Sequence, residues 1–410
     1  MTATTAGLRQ LVRPRPGRGG PLAVLDVGTS KICCYIGRPA GQGGFRLIGR
    51  GYQLADGLKA GEIVDVEAAE GSIQAVLHEA EQQAGETIRE VVATVGAGRP
   101  RSQLLRVERP LNGRSVAEED IQRSLERARL EVAAPGVTVL HTLPVEAVVD
   151  DGRPLEDPRG VTGERLDLLV HLVVADSQPV RNLMACLERC HLEGRSLVAA
   201  PFAAGMGATQ AAHFSGGRLL HVDQLLKGGD KITGDLAFGL STSQREAERI
   251  KNLYGGVLWR SCDDNVRVAV PLIGDHADLP TGEVPRTRLT YIIRARVEEI
   301  FQELMGRLQR AADVLQAKPP RSIVLTGGAA QIEGMDELAE ELFRLPARIG
   351  RPRAVEGRHG SEDDPCCSAA AGALLLAARG DGGLGWSDTS ERPKLAESIT
   401  RFREWLRQNF

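Results

Sequence analysis

Apolar and turn-forming stretches divide the start of the chain into strands and a helix. Two β-rich apolar runs flank a Gly-Thr-Ser turn within residues 22–37, which predicts a β-hairpin. Residues 66–85 predict a helix, and the apolar run at 88–98 predicts a buried strand. The chain therefore opens with strands and a helix close together in sequence.

A segment with a different pattern of apolar and polar residues follows, near residues 101–177. It predicts a helix in which Ser115 is the N-cap and Glu118, three residues later, completes a capping box. Two apolar runs after that helix predict strands. We interpret the segment as a small inserted α+β subdomain. These elements are a helix at 115–132 and strands at 137–150 and 165–176.

Strand and helix patterns continue to about residue 380. A helix at 179–194 is expected to end at Gly194. The later predicted elements are a strand at 195–201, a strand, Gly-Gly turn and helix within 218–240, a helix at 242–256, a long helix within 285–311, a strand, Gly-Gly turn and helix within 321–343, and a buried helix at 368–378. The last helix is apolar but too short to span a bilayer. The mixture predicts an α/β fold.

The final segment has the pattern of an amphipathic helix at 394–410, preceded by a linker at 381–393 that is rich in glycine and polar residues. Apolar residues gather on one helical face, with Trp405 beside them. The residues of this face are Leu395, Ile399, Phe402, Leu406 and Phe410.

Two interpretations of this helix stay open on sequence grounds. It could pack on the body of the protein or in a partner's groove, or it could lie on a membrane surface. Arginines on the polar side and interfacial aromatic residues favour the membrane, whereas Glu397 and Glu404 weaken the basic character. Burial of five or six apolar side chains, at roughly 1.5–3 kcal/mol each, gives reversible binding that polymerisation would multiply.

Composition narrows the class of protein further. The 410 residues carry a formal charge of -3, which argues against general nucleic-acid binding. The seven cysteines suggest no disulfide framework. Cys186 and Cys190, one helical turn apart and followed by His191, are better read as buried thiols than as a metal site. Residues 1–20 hold four arginines without an apolar core and predict a disordered basic tail rather than a signal peptide.

Three short patterns could hold a nucleotide. The first is Asp26–Lys31, where glycine at a hairpin tip lets backbone N–H groups approach a phosphate and Thr29 and Ser30 add hydroxyl donors. In the same pattern, Lys31 can reach a phosphate and Asp26 can hold hydrated Mg²⁺. In Leu325–Ala330, a strand runs into two glycines and a helix. Glu248 and Lys251 share a helical face and could grip a ribose. Taken alone, the first pattern is better explained by an ordinary hairpin turn, because short Gly-Thr-Ser turns are common. The second is weak evidence because a strand-to-helix turn explains it too, and the third has a surface ion pair as its alternative.

The order of these patterns resembles the actin, Hsp70 and sugar-kinase superfamily, and more closely the FtsA family of bacterial cell-division proteins, particularly those of alphaproteobacteria. The resemblance covers about residues 21–410. The stretches that carry it are LDVGTSK, DPRGVTGERL (157–166), ERCHLEGRSLVAAPFAAG (188–205), GGDKITGDLAFGLST (228–242), AERIKNLYG (247–255), TGGAAQIEGM (326–335) and the C-terminal helix.

The resemblance implies an actin-like ATPase fold of two lobes with an inserted α+β subdomain and a C-terminal membrane helix. The first lobe would comprise 21–100 and 178–205, the inserted subdomain 101–177, and the second lobe 206–380, with 229–320 as its smaller subdomain.

The resemblance also implies an ATP and Mg²⁺ site between the lobes. Phosphates and Mg²⁺ would be held by Asp26, Gly28, Thr29, Ser30 and Lys31, with Asp26 acting on Mg²⁺ through water. Glu248 and Lys251 would meet the ribose, and Gly327, Gly328 and Ala329 the adenine side.

In function, the resemblance implies a protein with at most weak ATPase activity. It would polymerise on the cytoplasmic face of the inner membrane at the septum, anchor FtsZ filaments through the FtsZ C-terminal tail, and help recruit later division proteins. A pilus-assembly scaffold and a small-molecule kinase of the same superfamily are the alternatives.

One motif departs from the family pattern. The second phosphate hairpin normally opens with a strand and an aspartate, but only Gly207, Ala208 and Thr209 match its end, and no acidic residue lies between Glu193 and Asp223. Either another segment fills the gap and nucleotide binds normally, or ATP binding is weakened and hydrolysis lost because half of the phosphate clamp is missing.

Overall fold

The structure is a computed structural model that describes the chain in ranges separated by gaps. The described residues are 20–28, 31–40, 45–59, 61–155, 157–199, 208–215, 218–260, 263–271, 282–315, 320–352, 355–356, 365 and 368–378. The tail expected at 1–20 (apart from Gly20), the linker expected at 381–393 and the helix expected at 394–410 lie outside them.

Strands and helices are mixed along the whole described chain, as the sequence predicts. The strands are β1 Leu22–Val27, β2 Lys31–Pro39, β3 Phe45–Leu54, β4 Leu58–Lys59, β5 Glu62–Ile63, β6 Glu90–Val95, β7 Arg101–Pro110, β8 Val137–Val149, β9 Arg165–Asp176, β10 Glu193–Ala199, β11 Thr209–Ser215, β12 Arg218–Leu225, β13 Arg267–Val270, β14 Gly282–Pro285, β15 Ile323–Leu325, β16 Ala347–Ile349 and β17 Val355–Glu356. The helices are α1 Val66–Ala84, α2 Glu118–Val132, α3 Ser177–Arg189, α4 Gly229–Leu240, α5 Gln244–Tyr254, α6 Arg286–Leu315, α7 Met335–Phe343 and α8 Ser368–Ala378.

The first lobe is built on a sheet with the strand order β10-β6-β1-β2-β3-β17. β1 and β2 form the hairpin predicted at 22–37, and β6 runs parallel to both β1 and β10. Parallel strands are stable when both faces of the sheet are covered. Leu25 faces the core formed with α1 and α3, while Val24 and Tyr35 pack on the other face against α8.

Helix α8 lies on the first lobe, although the sequence placed it within the second-lobe segment 206–380. Its Ala370 and Leu374 share a core with Val24 and Phe45 of the first-lobe sheet. β17 also joins that sheet, parallel to β3. The expected second-lobe segment, which ends at residue 380, therefore includes a strand and a helix that belong to the first lobe. A helix that is apolar on all sides has no preferred face, so its sequence could not show which lobe it covers.

The inserted subdomain is a three-stranded antiparallel sheet, β7-β9-β8, covered on one face by α2. Ile121 and Ala128 of the helix share a buried core with Leu168 and Leu172 of the central strand. A small sheet becomes stable when a helix covers its apolar face in this way.

The start of α2 differs from the prediction. The helix begins at Glu118, with Ala117 at the N-cap position, whereas Ser115 forms an isolated β-bridge with Thr162. The contact that reaches back comes from Asp120, whose carboxylate accepts a hydrogen bond from the Ala117 backbone N–H at 3.0 Å. The predicted capping box is wrong because Ser115 is held in extended pairing before the helix begins.

The end of α3 also differs. The helix stops at Arg189, where the Cys190 backbone N–H donates to the Cys186 carbonyl at 3.1 Å. His191 then turns the chain with a φ of 57°, and Gly194 lies in β10. The prediction that Gly194 ends the helix is wrong because His191 itself adopts the left-handed conformation usually left to glycine.

The described strands of the second lobe form three separate pairs. β11 and β12 form one antiparallel hairpin, β13 and β14 form another, and β15 pairs in parallel with β16. All three pairs pack on one apolar core formed by α4 to α7, to which Ala211, Val268 and Leu325 contribute. None of the described strands joins these pairs to one another.

The β11–β12 hairpin is held by the inserted subdomain instead. The Ser102 hydroxyl of β7 accepts a hydrogen bond from the Val222 backbone N–H at 2.6 Å and lies 3.0 Å from the Val222 carbonyl. Leu219 and Val222 share a core with Leu143 and Val173 of β8 and β9. The hairpin therefore connects the second lobe to the inserted subdomain.

Asp120 is the buried charge that holds the start of α2 on the inserted sheet. Its side chain is 2% exposed and accepts hydrogen bonds from Arg109 at 2.8 Å and Arg114 at 2.6 Å. The Arg114 hydrogen bond, opposed by burial and helped by Arg109, holds the pKa of Asp120 well below its usual range. Such a group stabilises the fold while it is ionised.

Replacement of Asp120 by asparagine should lower the free energy of unfolding by roughly 3 kcal/mol at pH 7, since two guanidinium groups lose their partner. Because the folded-state pKa is depressed, this stabilisation is fully present above the unfolded pKa of about 3.9 and is lost as the pH falls from there through the folded-state pKa. The difference between D120N and wild type in urea unfolding should therefore be largest at pH 7 and should begin to narrow below about pH 4. Asp151, whose side chain is 83% exposed, supplies the control D151N; equal losses in the two variants would contradict the prediction.

Candidate functional site

The β1–β2 hairpin places three of the predicted phosphate residues together. Asp26 is the last residue but one of β1, Lys31 begins β2, and the Gly28 backbone N–H donates to the Lys31 carbonyl at 3.1 Å. Thr29 and Ser30, the remaining two predicted residues, lie outside the described residues. The hairpin thus brings Asp26, Gly28 and Lys31 to one end of the first-lobe sheet.

Asp26 is a buried carboxylate whose partners come from two neighbouring strands. It is 4% exposed and accepts a hydrogen bond from the hydroxyl of Thr94, which lies opposite it on β6. Burial raises the pKa of Asp26 above its usual value, and the Thr94 hydroxyl and the Lys31 charge offset part of that rise. A second cation beside the carboxylate would favour its ionised form, so the environment suits a hydrated divalent metal.

Lys31 supplies positive charge at the same place. It is 5% exposed, and its ammonium nitrogen lies 5.4 Å from the ring centroid of Tyr52 on β3. A buried lysine is costly unless anions or π-faces compensate its charge. Lys31 is therefore suited to a phosphate group in the cleft.

The predicted ribose pair is present on α5, but its two members differ. Lys251 is 7% exposed, and its ammonium group donates to Glu248 at 2.6 Å, to the Thr233 hydroxyl at 2.9 Å and to the Gly229 carbonyl at 3.2 Å. These three contacts use all three N–H donors of the ammonium group. Lys251 therefore ties α5 to α4 and does not offer a free donor to a ribose.

Glu248 is the member of the pair that remains accessible. Its side chain is 47% exposed, and it also accepts a hydrogen bond from the Thr233 hydroxyl. Burial pushes the pKa of Glu248 upward, but the hydrogen bonds from Lys251 and Thr233 outweigh it, so the pKa lies below its usual value. An ionised carboxylate in this position can accept hydrogen bonds from ribose hydroxyls.

The predicted adenine loop lies next to these helices. Gly327 has a φ of 95°, and a 3-10 turn at Gly328–Gln331 follows it. A Cβ placed on Gly229 would come within 3.6 Å of Ala329 and 3.5 Å of the Lys251 ammonium. The structure thus brings the loop, α4 and α5 together, although 3-10 backbone, rather than the expected helix, follows Gly327 and Gly328.

The helix N-terminus at this place is that of α4, which sequence reasoning did not assign to the site. Gly228 is its N-cap and has no side chain to occupy the free N–H groups of the first turn. Such a terminus favours an anionic group. The signal was present in the sequence as a Gly-Gly pair before a helix.

The remnant of the second phosphate hairpin is arranged differently. Gly207 lies outside the described residues, and Ala208 is buried. The Thr209 hydroxyl donates to the carbonyl of Lys227, just beyond β12, at 2.7 Å. Its proton therefore points toward that backbone carbonyl. Asp223, the next acidic residue along the chain, lies 3.2 Å from Arg307 of α6. This part of the site provides no second carboxylate to face Asp26.

Taken together, the described residues fit a nucleotide with Mg²⁺. The first-lobe residues suit the metal and the phosphates, and the accessible Glu248 beside the Gly327–Ala329 loop suits the nucleoside. Asp26 is a buried, destabilised carboxylate that a cation would favour, and Lys31 is a buried cation that a phosphate would favour. When bound, the metal would supply charge neutralisation to the phosphates. The chain itself contributes the binding groups.

Other predicted sites have a simpler outcome. Cys186 and Cys190 are buried and carry free thiols. No group of three or more metal-ligating side chains is found among the residues that the structure describes. The membrane-face residues Leu395, Ile399, Phe402, Trp405, Leu406 and Phe410 lie outside the described ranges. Within those ranges, none of the helices combines the length and apolar character needed to span a bilayer.

Two family models match the chain. Residues 203–372 match the model described as cell division protein FtsA, and residues 97–174 match the SHS2 domain inserted in FtsA. The second match coincides with the sheet β7-β9-β8 and helix α2.

Full-length relatives match as well. The chain is 32% identical over 441 residues to the cell division protein FtsA of Rhizobium meliloti, with 98% of each chain covered. It is 31% identical over 419 residues to that of Pseudomonas aeruginosa, covering 96% of this chain and 99% of the relative. The first alignment is longer than the 410 residues of this chain, so it includes positions that this chain lacks.

A solved structure, described as a PilM-PilN type IV pilus biogenesis complex, shares the fold. Its TM-score is 0.59 at 18% identity, with 88% of this chain and 98% of that chain covered. Identity at that level concerns architecture alone, and the architecture is the actin-like ATPase fold with the inserted SHS2 subdomain. Because relatives at 31–32% identity extend over nearly its full length, this chain belongs to the FtsA family of actin-like cell division proteins.

Proposed function

We propose that this division protein is a membrane adaptor: it polymerises on the cytoplasmic face of the inner membrane at the septum, anchors FtsZ filaments and helps recruit later division proteins. The observation that supports the proposal most is the 31–32% sequence identity with FtsA proteins, which extends over nearly the full length of the chain. The amphipathic pattern of 394–410 supports the membrane part of the proposal, because a weak anchor repeated along a polymer becomes strong by avidity.

ATP with Mg²⁺ is the proposed ligand of the cleft. Asp26 would act on hydrated Mg²⁺, Gly28 and Lys31 on the phosphates, Glu248 on the ribose, and the Gly327–Ala329 loop on the adenine side. Only the family pattern supports four further residues of the proposed site, which are Thr29, Ser30, Gly207 and Ala208. The acid-free stretch between Glu193 and Asp223 supports weakened binding and loss of hydrolysis, since nothing there opposes Asp26.

An exposed aromatic surface on the second lobe is the proposed dock for the FtsZ tail. Phe238 is 90% exposed, Tyr291 67% and Trp259 54%, and the rings of Trp259 and Tyr291 lie 6.2 Å apart. Arg288 donates to the Gly239 carbonyl at 2.7 Å, which holds the end of α4 beside the start of α6. Exposed aromatic residues grouped on a surface are typical of binding sites for peptides.

Replacement of Lys31 by alanine should weaken binding of MgADP and MgATP by tenfold or more, about 1.4 kcal/mol, because a buried cation no longer faces the phosphates. Isothermal titration of wild type, K31A and the exposed-lysine control K59A measures this directly. K59A should bind like wild type, and none of the three should release phosphate from ATP at a measurable rate. Normal ATP affinity together with steady turnover in wild type would contradict the proposed damage to the clamp.

Removal of the residues after Ser390 should abolish co-sedimentation with anionic liposomes, both with and without FtsZ. The substitutions F402E and Q408E give a matched pair, since each adds one negative charge but only Phe402 lies on the apolar face. F402E should reduce pelleting several-fold, and Q408E should change it little. Equal pelleting of the truncated and full chains would refute the membrane role of this segment.

Replacement of Trp259 or Tyr291 by alanine should weaken binding of an FtsZ C-terminal peptide at least tenfold, because central aromatic residues dominate such interfaces. Fluorescence anisotropy of a labelled peptide provides the measurement. L130A is the control, because Leu130 is 66% exposed but lies on the inserted subdomain. The surface would be misassigned if L130A weakened binding as much as W259A and Y291A.

A further inference from the structure

Two glutamines lie directly opposite each other on the β11–β12 hairpin. Gln210 of β11 pairs in register with Gln224 of β12. Directly opposed residues of an antiparallel pair project from the same face of the sheet. Ala212 and Val222, one step further along that face, pack toward the inserted subdomain and the end of β10. The two amides therefore project toward the first lobe, away from the second-lobe core.

One of these amides contacts the first lobe at the phosphate end of the cleft. The Gln224 amide nitrogen donates to the Gly96 carbonyl at 3.1 Å. Gly96 directly follows β6, and Thr94, two residues earlier, donates to Asp26. The glutamine pair therefore meets the first lobe at the strand end that positions Asp26.

The polar atoms of this pair are buried without being satisfied. Both amide atoms of Gln210 and the amide oxygen of Gln224 are inaccessible to solvent and have no hydrogen-bond partner among the described residues. Buried polar groups are nearly always paired, so atoms of this kind indicate a missing ligand or ordered water. The unsatisfied set contains an N–H donor as well as two carbonyl acceptors.

We propose that Gln210 and Gln224 are the second lobe's contact to the phosphates and hydrated Mg²⁺ of the bound nucleotide. The amide nitrogen of Gln210 donates to a phosphate oxygen. The two amide oxygens accept from water on the metal. This inference rests on the proposed nucleotide function and names residues for the part of the site where the family's second hairpin is incomplete.

The chemistry of amides suits that position. A metal–phosphate group presents acceptors on its oxygens and donors on its metal-bound water, which matches the mixed set of unsatisfied atoms. Amides are neutral, so they bind phosphate without the repulsion of a carboxylate and without replacing the charge of Lys31. Unlike a carboxylate, an amide cannot act as a general base, which agrees with a site that binds nucleotide but does not hydrolyse it.

The test compares full-length Q210L and Q224L with wild type and with Q103L, a control because Gln103 is exposed on β7. The probe is MgADP, followed by isothermal titration and by the nucleotide-induced rise in Tm. Leucine at position 210 removes only polar atoms that lack partners, so the ligand-free Tm of Q210L should be unchanged or higher. Q224L also removes the hydrogen bond to Gly96, so its ligand-free Tm should fall slightly. We expect a tenfold or greater loss of affinity in Q210L and Q224L, none in Q103L, and a larger loss in Q210E.

The outcomes separate the two levels of the proposal. Wild-type affinity in Q210L and Q224L would overturn the glutamine assignment and leave nucleotide binding standing, with ordered water then satisfying the amides. A complete lack of MgADP binding by wild type would overturn both. A fall in ligand-free Tm that accounts for the lost affinity would assign the pair a purely structural role. A raised Mg²⁺ requirement in the leucine variants would support contact with the hydrated metal.

Discussion

Backbone pairing in a buried sheet is the constraint on which this structure depends. Every strand inside a lobe must satisfy its N–H and C=O groups, because unpaired groups away from water are costly. The first lobe meets this requirement with one continuous sheet, whereas the described strands of the second lobe form three separate pairs on a common core. The β11–β12 hairpin also makes polar contacts outside its own lobe, through Ser102 to Val222 and through Gln224 to Gly96. These contacts connect the hairpin to the inserted subdomain and to the first lobe.

The two halves of the candidate site use charge in different ways. Asp26 and Lys31 are both buried at the end of the hairpin, where the carboxylate suits a metal cation and the ammonium group suits a phosphate. Lys251 is buried as well, but its ammonium group is fully used by Glu248, Thr233 and Gly229. The first half is therefore built for charged ligand groups, and the second half is an assembled scaffold that presents an accessible carboxylate.

Local pattern was enough to predict the β1–β2 hairpin, the position of Asp26 and Lys31 on it, and the α/β class, while the actin-like fold followed from the resemblance to a family. It was not enough where tertiary contacts decide the outcome. Ser115 has good capping chemistry, but its pairing with Thr162 keeps it extended. The apolar α8 gave no sign of its partner lobe, and the three contacts that saturate Lys251 come from residues as far away in sequence as Gly229. Gln210 and Gln224 belong to no motif, and only their pairing across the hairpin makes them noticeable.

The packing of α8 on the first lobe has a mechanical consequence. The chain leaves the described body from that lobe, so a membrane anchor in the residues beyond α8 would pull on the first lobe. The exposed aromatic surface around Trp259 and Tyr291 belongs to the second lobe, and a filament held there would pull on that lobe. Tension between such an anchor and such a filament would then cross the nucleotide cleft and load the hydrogen bonds and apolar contacts of the β11–β12 hairpin. The cleft would in that case be a joint under load, and a ligand that bridges it would stiffen the link between the two lobes.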